Sequence, residues 1–252
     1  MSDTIKEKEE ETKKTEIAKD EFLAMITHEL KTPLVPIQGY ADILLSEHLG
    51  ELTDKQKERL EIIKSSSETL LSLISDLLDA QKLELGQLKM RKENININDT
   101  VTHAIEAFLP QVQKNKIQII SNMTDFSIEH DPARIKQVIT NLIKNSLTAV
   151  DPEKGKIEIS MKNMPQEIQI TIKDNGIGIP LNKQEGLFKK FYQVDASLTR
   201  EKGGSGLGLA ICKGIMENHG GSITAKSTPN QETTFIITLP KKEPGKSPIG
   251  LA

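Results

Sequence analysis

Four short stretches of this chain carry side chains suited to phosphate chemistry. The first holds His28, with Glu29 directly behind it and Thr32 one helical turn on. A neutral imidazole is populated near pH 7 and is a competent nucleophile. A carboxylate beside it can take the proton from the other ring nitrogen as the first one attacks. The second is NLIKN, residues 141–145, where Asn141 and Asn145 sit one turn apart and share a helix face. Two amides at the edge of a buried face suit a Mg²⁺–phosphate group, because magnesium takes few oxygens from protein and several from water and phosphate. The third is DNGIGI, residues 174–179. Asp174 can accept from an exocyclic amine, and Gly176 and Gly178 let the backbone turn close to a ligand. The fourth is GGSGLGLAI, residues 203–211. Gly204, Gly206 and Gly208 free the backbone for a phosphate at the N-terminus of the helix that opens there. Each stretch has a bland reading as well: a surface histidine, exposed amides, a strand-ending turn, a plain glycine string. LFKKFY, residues 187–192, carries aromatics that read as packing beside the site, Phe188 and Phe191 included.

Two kinds of element must hold these residues. Leu23, Ile26, Leu30, Pro33, Ile37, Tyr40 and Leu44 fall on a 3-4 spacing, and so do Leu60, Ile63, Ser67, Leu70, Ile74 and Leu77. These seams predict two helices joined by a turn over 46–54, with Thr53 as the second helix's cap. His28 falls off the seam, on the outer face, and Pro33 and Pro36 should bend or break the helix behind it. One hairpin cannot cover its own seam, so two chains should form a four-helix bundle. From residue 88 the pattern changes to mixed α/β. A short strand is expected in LKMRKENI, residues 88–95, further strands near 117–122, 156–162, 167–174, 222–227 and 233–239, and a helix over about 98–113. Asp131-Pro132 should cap and start the helix that bears the two asparagines. The division is 1–16 charged extension, helical or disordered; 17–87 helical hairpin; 88–240 α/β domain; 241–252 disordered tail.

Composition narrows the rest. With net charge −3, nothing suggests nucleic-acid binding. A single cysteine, Cys212, excludes an internal disulfide and suits a cytoplasmic setting, with the residue itself read as packing. No apolar run reaches the ~20 residues of a membrane span. His48, His103 and His130 lie in no motif and read as surface residues, whereas His219, before Gly220-Gly221, reads as a capping or cationic histidine at a helix end. No Cys/His cluster has metal-ligand spacing.

HELKTPL behind FLAMI resembles the H box of sensor histidine kinases. The other segments, in their order, resemble the N, G1, F and G2 boxes of the same family's ATP-binding domain. That domain has the GHKL-type ATPase fold shared with DNA gyrase, the heat-shock chaperone and the mismatch-repair ATPase. The resemblance implies an α + α/β chain: a helical hairpin forming a dimeric four-helix bundle, then an α/β sandwich. It implies ATP and Mg²⁺ as cofactors, a homodimer, and a response regulator receiver domain as partner. His28 would be phosphorylated, Glu29 would be its base, and Thr32 would orient water for dephosphorylation of the partner. Asn145 would bind Mg²⁺, Asn141 would contact phosphate and Asp174 would hold the adenine amino group. Gly176, Gly178, Gly204, Gly206, Leu207 and Gly208 would line the nucleotide, with 192–205 as a mobile lid. The family commonly carries a Lys where Thr148 stands, an aromatic at Ala149 and a basic lid residue at Gln193. Arg200 or Lys202 is the expected substitute for the missing charge. Two other readings stay open at this level: a degraded kinase serving as a dimeric docking module, favoured by Thr148, Ala149 and Gln193, and another ATPase of the same fold, disfavoured by the His28 hairpin.

Overall fold

The computed structural model describes residues 25–27, 29–194 and 204–241. The sequence expectations for 1–16, for His28, for most of the 192–205 lid and for the tail after 241 therefore lie outside the described residues. The chain divides into two compact units at Gly86/Gln87.

The first unit is a helical hairpin. Helix α1 covers 25–27 and 29–45, and helix α2 is Asp54–Glu84. The helical backbone of α1 runs through Pro33 and Pro36, so neither proline breaks it. Each lacks one N–H, which removes one ladder bond without ending the helix. The chain turns over 46–50, with Glu47 and Gly50 at positive φ. Thr53 caps α2 in a capping box with Gln56, each reaching the other's backbone N–H. Three contacts set the antiparallel register: Gln38 donates to Glu68 at 3.4 Å, Lys64 pairs with Asp42 at 2.5 Å, and Lys57 pairs with Glu47 at 3.1 Å. The seam positions Leu30, Ile37, Leu44, Ile63, Leu70 and Leu77 stay 38–46% exposed in the single chain.

The second unit is mixed α/β. Its strands are β1 (Glu93–Asn96), β2 (Gln118–Asn122), β3 (Ser127–His130), β4 (Lys156–Asn163), β5 (Glu167–Asp174), β6 (Ser222–Thr228) and β7 (Glu232–Pro240). Its helices are α3 (Ile97–Glu106), α4 (Leu109–Lys114), α5 (Pro132–Ala149), α6 (Leu181–Gln184) and α7 (Gly208–Asn218). Five strands form one sheet in the order β2-β4-β5-β7-β6, antiparallel except for the β2/β4 pair. β1 and β3 form a separate antiparallel pair; the short strand expected in 88–95 overlaps β1, and β3 was missed by sequence patterning. Four-residue strands give alternation too little length to register. The expected 98–113 helix is two helices, because the chain breaks at Ala107-Phe108 and restarts with Pro110 in the first turn of α4.

Isoleucine builds this core. Along β4, β5 and β7 every second residue is buried, including Ile157, Ile159, Ile168, Ile170, Ile172 and Ile237. Helices α5 and α7 cover that face, with Ile135, Ile139, Leu142, Ile143, Ile211 and Ile215 fully buried. β-branched side chains suit the pleat, and each buried one contributes about 1.5–3 kcal/mol.

Candidate functional site

Helix α5 is the hub of the site. Asp131 starts it: Oδ1 accepts Arg134 N–H at 3.1 Å, and Pro132 fills the first helical position. Oδ2 also accepts Arg91 N–H at 2.7 Å, so one carboxylate ties the helix start to the segment before β1. Ile135, Val138, Ile139, Leu142, Ile143 and Ser146 make the buried stripe. Asn141 lies half-buried at its edge, and Asn145 is exposed one turn on.

From this helix the contacts fan out to the other segments. Asn141 donates Nδ2 to the Gly208 carbonyl at 3.4 Å, joining the asparagine pair to the start of α7. Ser146 Oγ donates to Asp174 Oδ2 at 2.9 Å. The Ala149 carbonyl accepts Ile177 N–H at 3.1 Å. Asp174, at the end of β5, is buried, and its Oδ1 accepts Gly176 N–H at 3.0 Å. Burial pushes its carboxyl up, and the bonds from Ser146, Gly176 and the Thr233 backbone pull it back. The structure thus brings together Asn141, Asn145, Asp174, Gly176 and Gly208. Glu29 and Thr32 are exposed on α1 in the other unit. His28, Arg200 and Lys202 lie outside the described residues.

The glycines divide into two groups. A Cβ on Gly178, at φ +63, would lie 2.2 Å from the Thr228 carbonyl oxygen. One on Gly176 would lie 2.7 Å from the Ala149 oxygen, and one on Gly206 would lie 2.8 Å from the Phe191 carbonyl carbon. At these three the chain packs on itself, a second reason for glycine beside the expected close approach of a ligand. Gly204 has open space around it, and a Cβ on Gly208 would meet only the Asn141 amide, at 3.5 Å. Leu207 is buried and precedes α7 without a side-chain cap, so the first N–H groups of that helix have no capping side chain. Gln193 donates Nε2 to the Gly204 carbonyl at 2.7 Å, bridging the two ends of the 194–204 stretch.

Three readings of single residues change. Phe191 is 65% exposed rather than packed, and its backbone, at φ +61, lies against Gly206. His130 is buried rather than on the surface: Nδ1–H donates to the Ile128 carbonyl at 2.9 Å, and Nε2 meets Thr100 Oγ1 at 2.9 Å. His219 is buried and neutral rather than cationic. Its Nδ1–H donates to the Ile215 carbonyl at 2.8 Å, and its Nε2 accepts Asp131 N–H at 3.0 Å. Burial lowers both imidazoles. The cap itself is as expected, with Gly220 at φ +72. Sequence reasoning also passed over Ser146 and Thr233. For Ser146 a signal existed, as a polar residue at a position in step with Ile135, Ile139 and Leu142.

Comparison with known proteins follows the same division. Residues 18–86 match the His Kinase A (phospho-acceptor) domain, and residues 130–243 match the histidine kinase-, DNA gyrase B-, and HSP90-like ATPase. The solved catalytic domain of the histidine kinase ThkA is 30% identical, with a TM-score of 0.54, and the match covers 97% of that chain and 60% of this one. The chain belongs to the histidine kinase family. Another family member, the circadian input-output histidine kinase CikA of Synechococcus elongatus, is 35% identical over 230 residues. The match takes in 89% of this chain and 30% of that kinase's length. Full-length ShkA, solved with AMPPNP, shares the fold at a TM-score of 0.71 and 24% identity, over 87% of this chain and 45% of its own. ThkA solved with the response regulator TrrA is 25% identical at a TM-score of 0.59, over 88% of this chain and 61% of that one. Among the described residues no helix is long and apolar enough to cross a membrane.

Proposed function

We propose that this histidine kinase core binds ATP with Mg²⁺ in its α/β unit and phosphorylates itself on His28. The phosphoryl group then passes to an aspartate of a response regulator receiver domain. The observation that carries the nucleotide half is the convergence on α5: Asn141 on Gly208, Ser146 on Asp174, and Ala149 on Ile177. It ties a buried carboxylate on β5 and the N-terminus of α7, without a side-chain cap among the described residues, to one helix, which supports a purine at one end and phosphates at the other. Asp174 holds the adenine amino group, and the N–H groups opening α7 from Gly208 face phosphate. Asn145, exposed with an amide oxygen, fits a magnesium ion that keeps most of its shell as water and phosphate. When bound, the ion supplies charge neutralisation on the phosphates.

In the transfer, a ring nitrogen of His28 attacks the γ-phosphorus. The bond to the β–γ bridging oxygen breaks, and ADP leaves with the electron pair. Glu29 takes the proton from the other ring nitrogen. Arg200 or Lys202 supplies the cation that Thr148 and Gln193 do not. Thr32 orients water for hydrolysis of the phosphorylated partner. The exposed seam from Leu30 to Leu77 supports a homodimeric four-helix bundle, and the complex of ThkA with TrrA supports a receiver domain as partner. The setting we propose is cytoplasmic.

The test is incubation with γ-labelled ATP and Mg²⁺, followed by a chase with a purified receiver domain. Label should enter the protein, move to the receiver and be absent in His28→Ala. Free phosphate released without labelled protein would instead indicate another ATPase of this fold. No turnover at all would indicate a docking module.

A further inference from the structure

Ser146 is the polar member of an otherwise apolar stripe. Ile135, Val138, Ile139, Leu142 and Ile143 show no exposure, and neither does Ser146. Alanine would fill the same space, so volume does not account for the hydroxyl. A buried serine on a helix ordinarily bonds back to the carbonyl four residues earlier. Here it bonds to Asp174 Oδ2 instead, on another element, at 2.9 Å.

The carboxylate is therefore held by three donors. Oδ2 takes the Ser146 hydroxyl, Oδ1 takes the Gly176 amide at 3.0 Å, and the Thr233 backbone N–H donates as well. Fixed donors on both oxygens prevent the group from turning about its last torsion. Three donors leave one of its four lone-pair sites for a further donor. Hydrogen bonds to the charged form also work against the upward push of burial on this carboxyl, favouring the state that is an acceptor only. An acceptor-only group welcomes an amine and repels a carbonyl, whereas a protonated carboxyl can donate to a carbonyl. We infer that Ser146 is a positioning and specificity-determining residue, fixing Asp174 as an acceptor-only carboxylate that selects a 6-amino purine over a 6-keto purine. The inference rests on the proposed reading of Asp174 as the base contact.

The test measures binding of ATP, inosine triphosphate and purine riboside triphosphate (which lacks the 6-substituent) to the full chain and to Ser146→Ala. Autophosphorylation at saturating ATP is followed alongside. The wild type should favour ATP over both analogues. In Ser146→Ala the preference for ATP should narrow by roughly tenfold, the size of one hydrogen bond. The loss should fall on affinity rather than on the maximal rate. Ser146→Cys, close in volume and a far weaker donor, should behave like the alanine variant. An unchanged preference ratio in both variants overturns the role of Ser146. Loss of fold in both assigns the hydroxyl to structure alone and overturns it equally. A wild type indifferent to the 6-position overturns the reading of Asp174 itself.

Discussion

At the scale of single residues, Asp174 and Asn145 carry the nucleotide claim. Asp174→Asn keeps one acceptor oxygen but puts a donor in place of the other, weakening the hold on the amine. ATP affinity should fall by about tenfold or more while the melting temperature changes little, as titration calorimetry and circular dichroism would show. Asn145→Ala should weaken the Mg²⁺-dependent part of ATP binding and leave binding in EDTA unchanged. A pH effect arises at the buried histidines. Burial holds His130 and His219 below the usual value of about 6.5, against the opposing pull of their bonds to the Ile128 and Ile215 carbonyls and of Asp131, with Glu93 also acting on His130. Lys92 and the histidines' mutual repulsion push His219 the same way as burial. Below about pH 6.5 the unfolded chain then binds more protons than the folded one, so stability falls as pH drops through that range. Asp174, whose carboxyl is raised, works in the opposite direction. The transition of the α/β unit should move down several degrees between pH 7.5 and 5.5. His219→Gln, which keeps an acceptor for Asp131 N–H, should flatten that dependence.

At the scale of elements, Asp131 is the buried joint of the design. Its carboxylate caps α5 and accepts from Arg91, and its N–H is anchored on His219. Asp131→Ala should cost about 1–3 kcal/mol in denaturant unfolding of the α/β unit, a lost cap plus the part-buried Arg91 N–H left without its acceptor. A cost near zero would mean that water replaces both bonds. The sequence revealed the cap because Asp-Pro before an apolar stripe is a local signal. It could not reveal Arg91 or His219, which lie 40 and 88 residues away. The same contrast holds across the molecule. The long strands β4, β5 and β7 were legible from alternation, and α2 from its seam and Thr53. Strand β3, its pairing with β1 and the break at Phe108 depend on short or tertiary contacts. The glycines were found, but three of the five are fixed by the Thr228, Ala149 and Phe191 backbones rather than by a ligand alone. Only the fold shows which glycine faces which neighbour.

At the scale of the whole molecule, the claims concern assembly and the missing charge. The exposed seam should bring two hairpins together, so Leu70→Asp should shift the protein from dimer to monomer in sedimentation experiments. The Arg200→Ala/Lys202→Ala double variant should raise the ATP Michaelis constant and slow autophosphorylation. If neither changes, another cation steadies the phosphates, and Lys144, exposed on α5 beside Asn145, is the next candidate. These effects all bear on one event, arrival of the γ-phosphoryl group at a histidine on the hairpin. The most direct measurement maps the modified residue by tandem mass spectrometry at alkaline pH after incubation with ATP and Mg²⁺. The account predicts a phosphoryl group on His28, stable in alkali and lost in acid. Phosphate on a serine, threonine or aspartate, or ATP consumed with no modified protein, would contradict it.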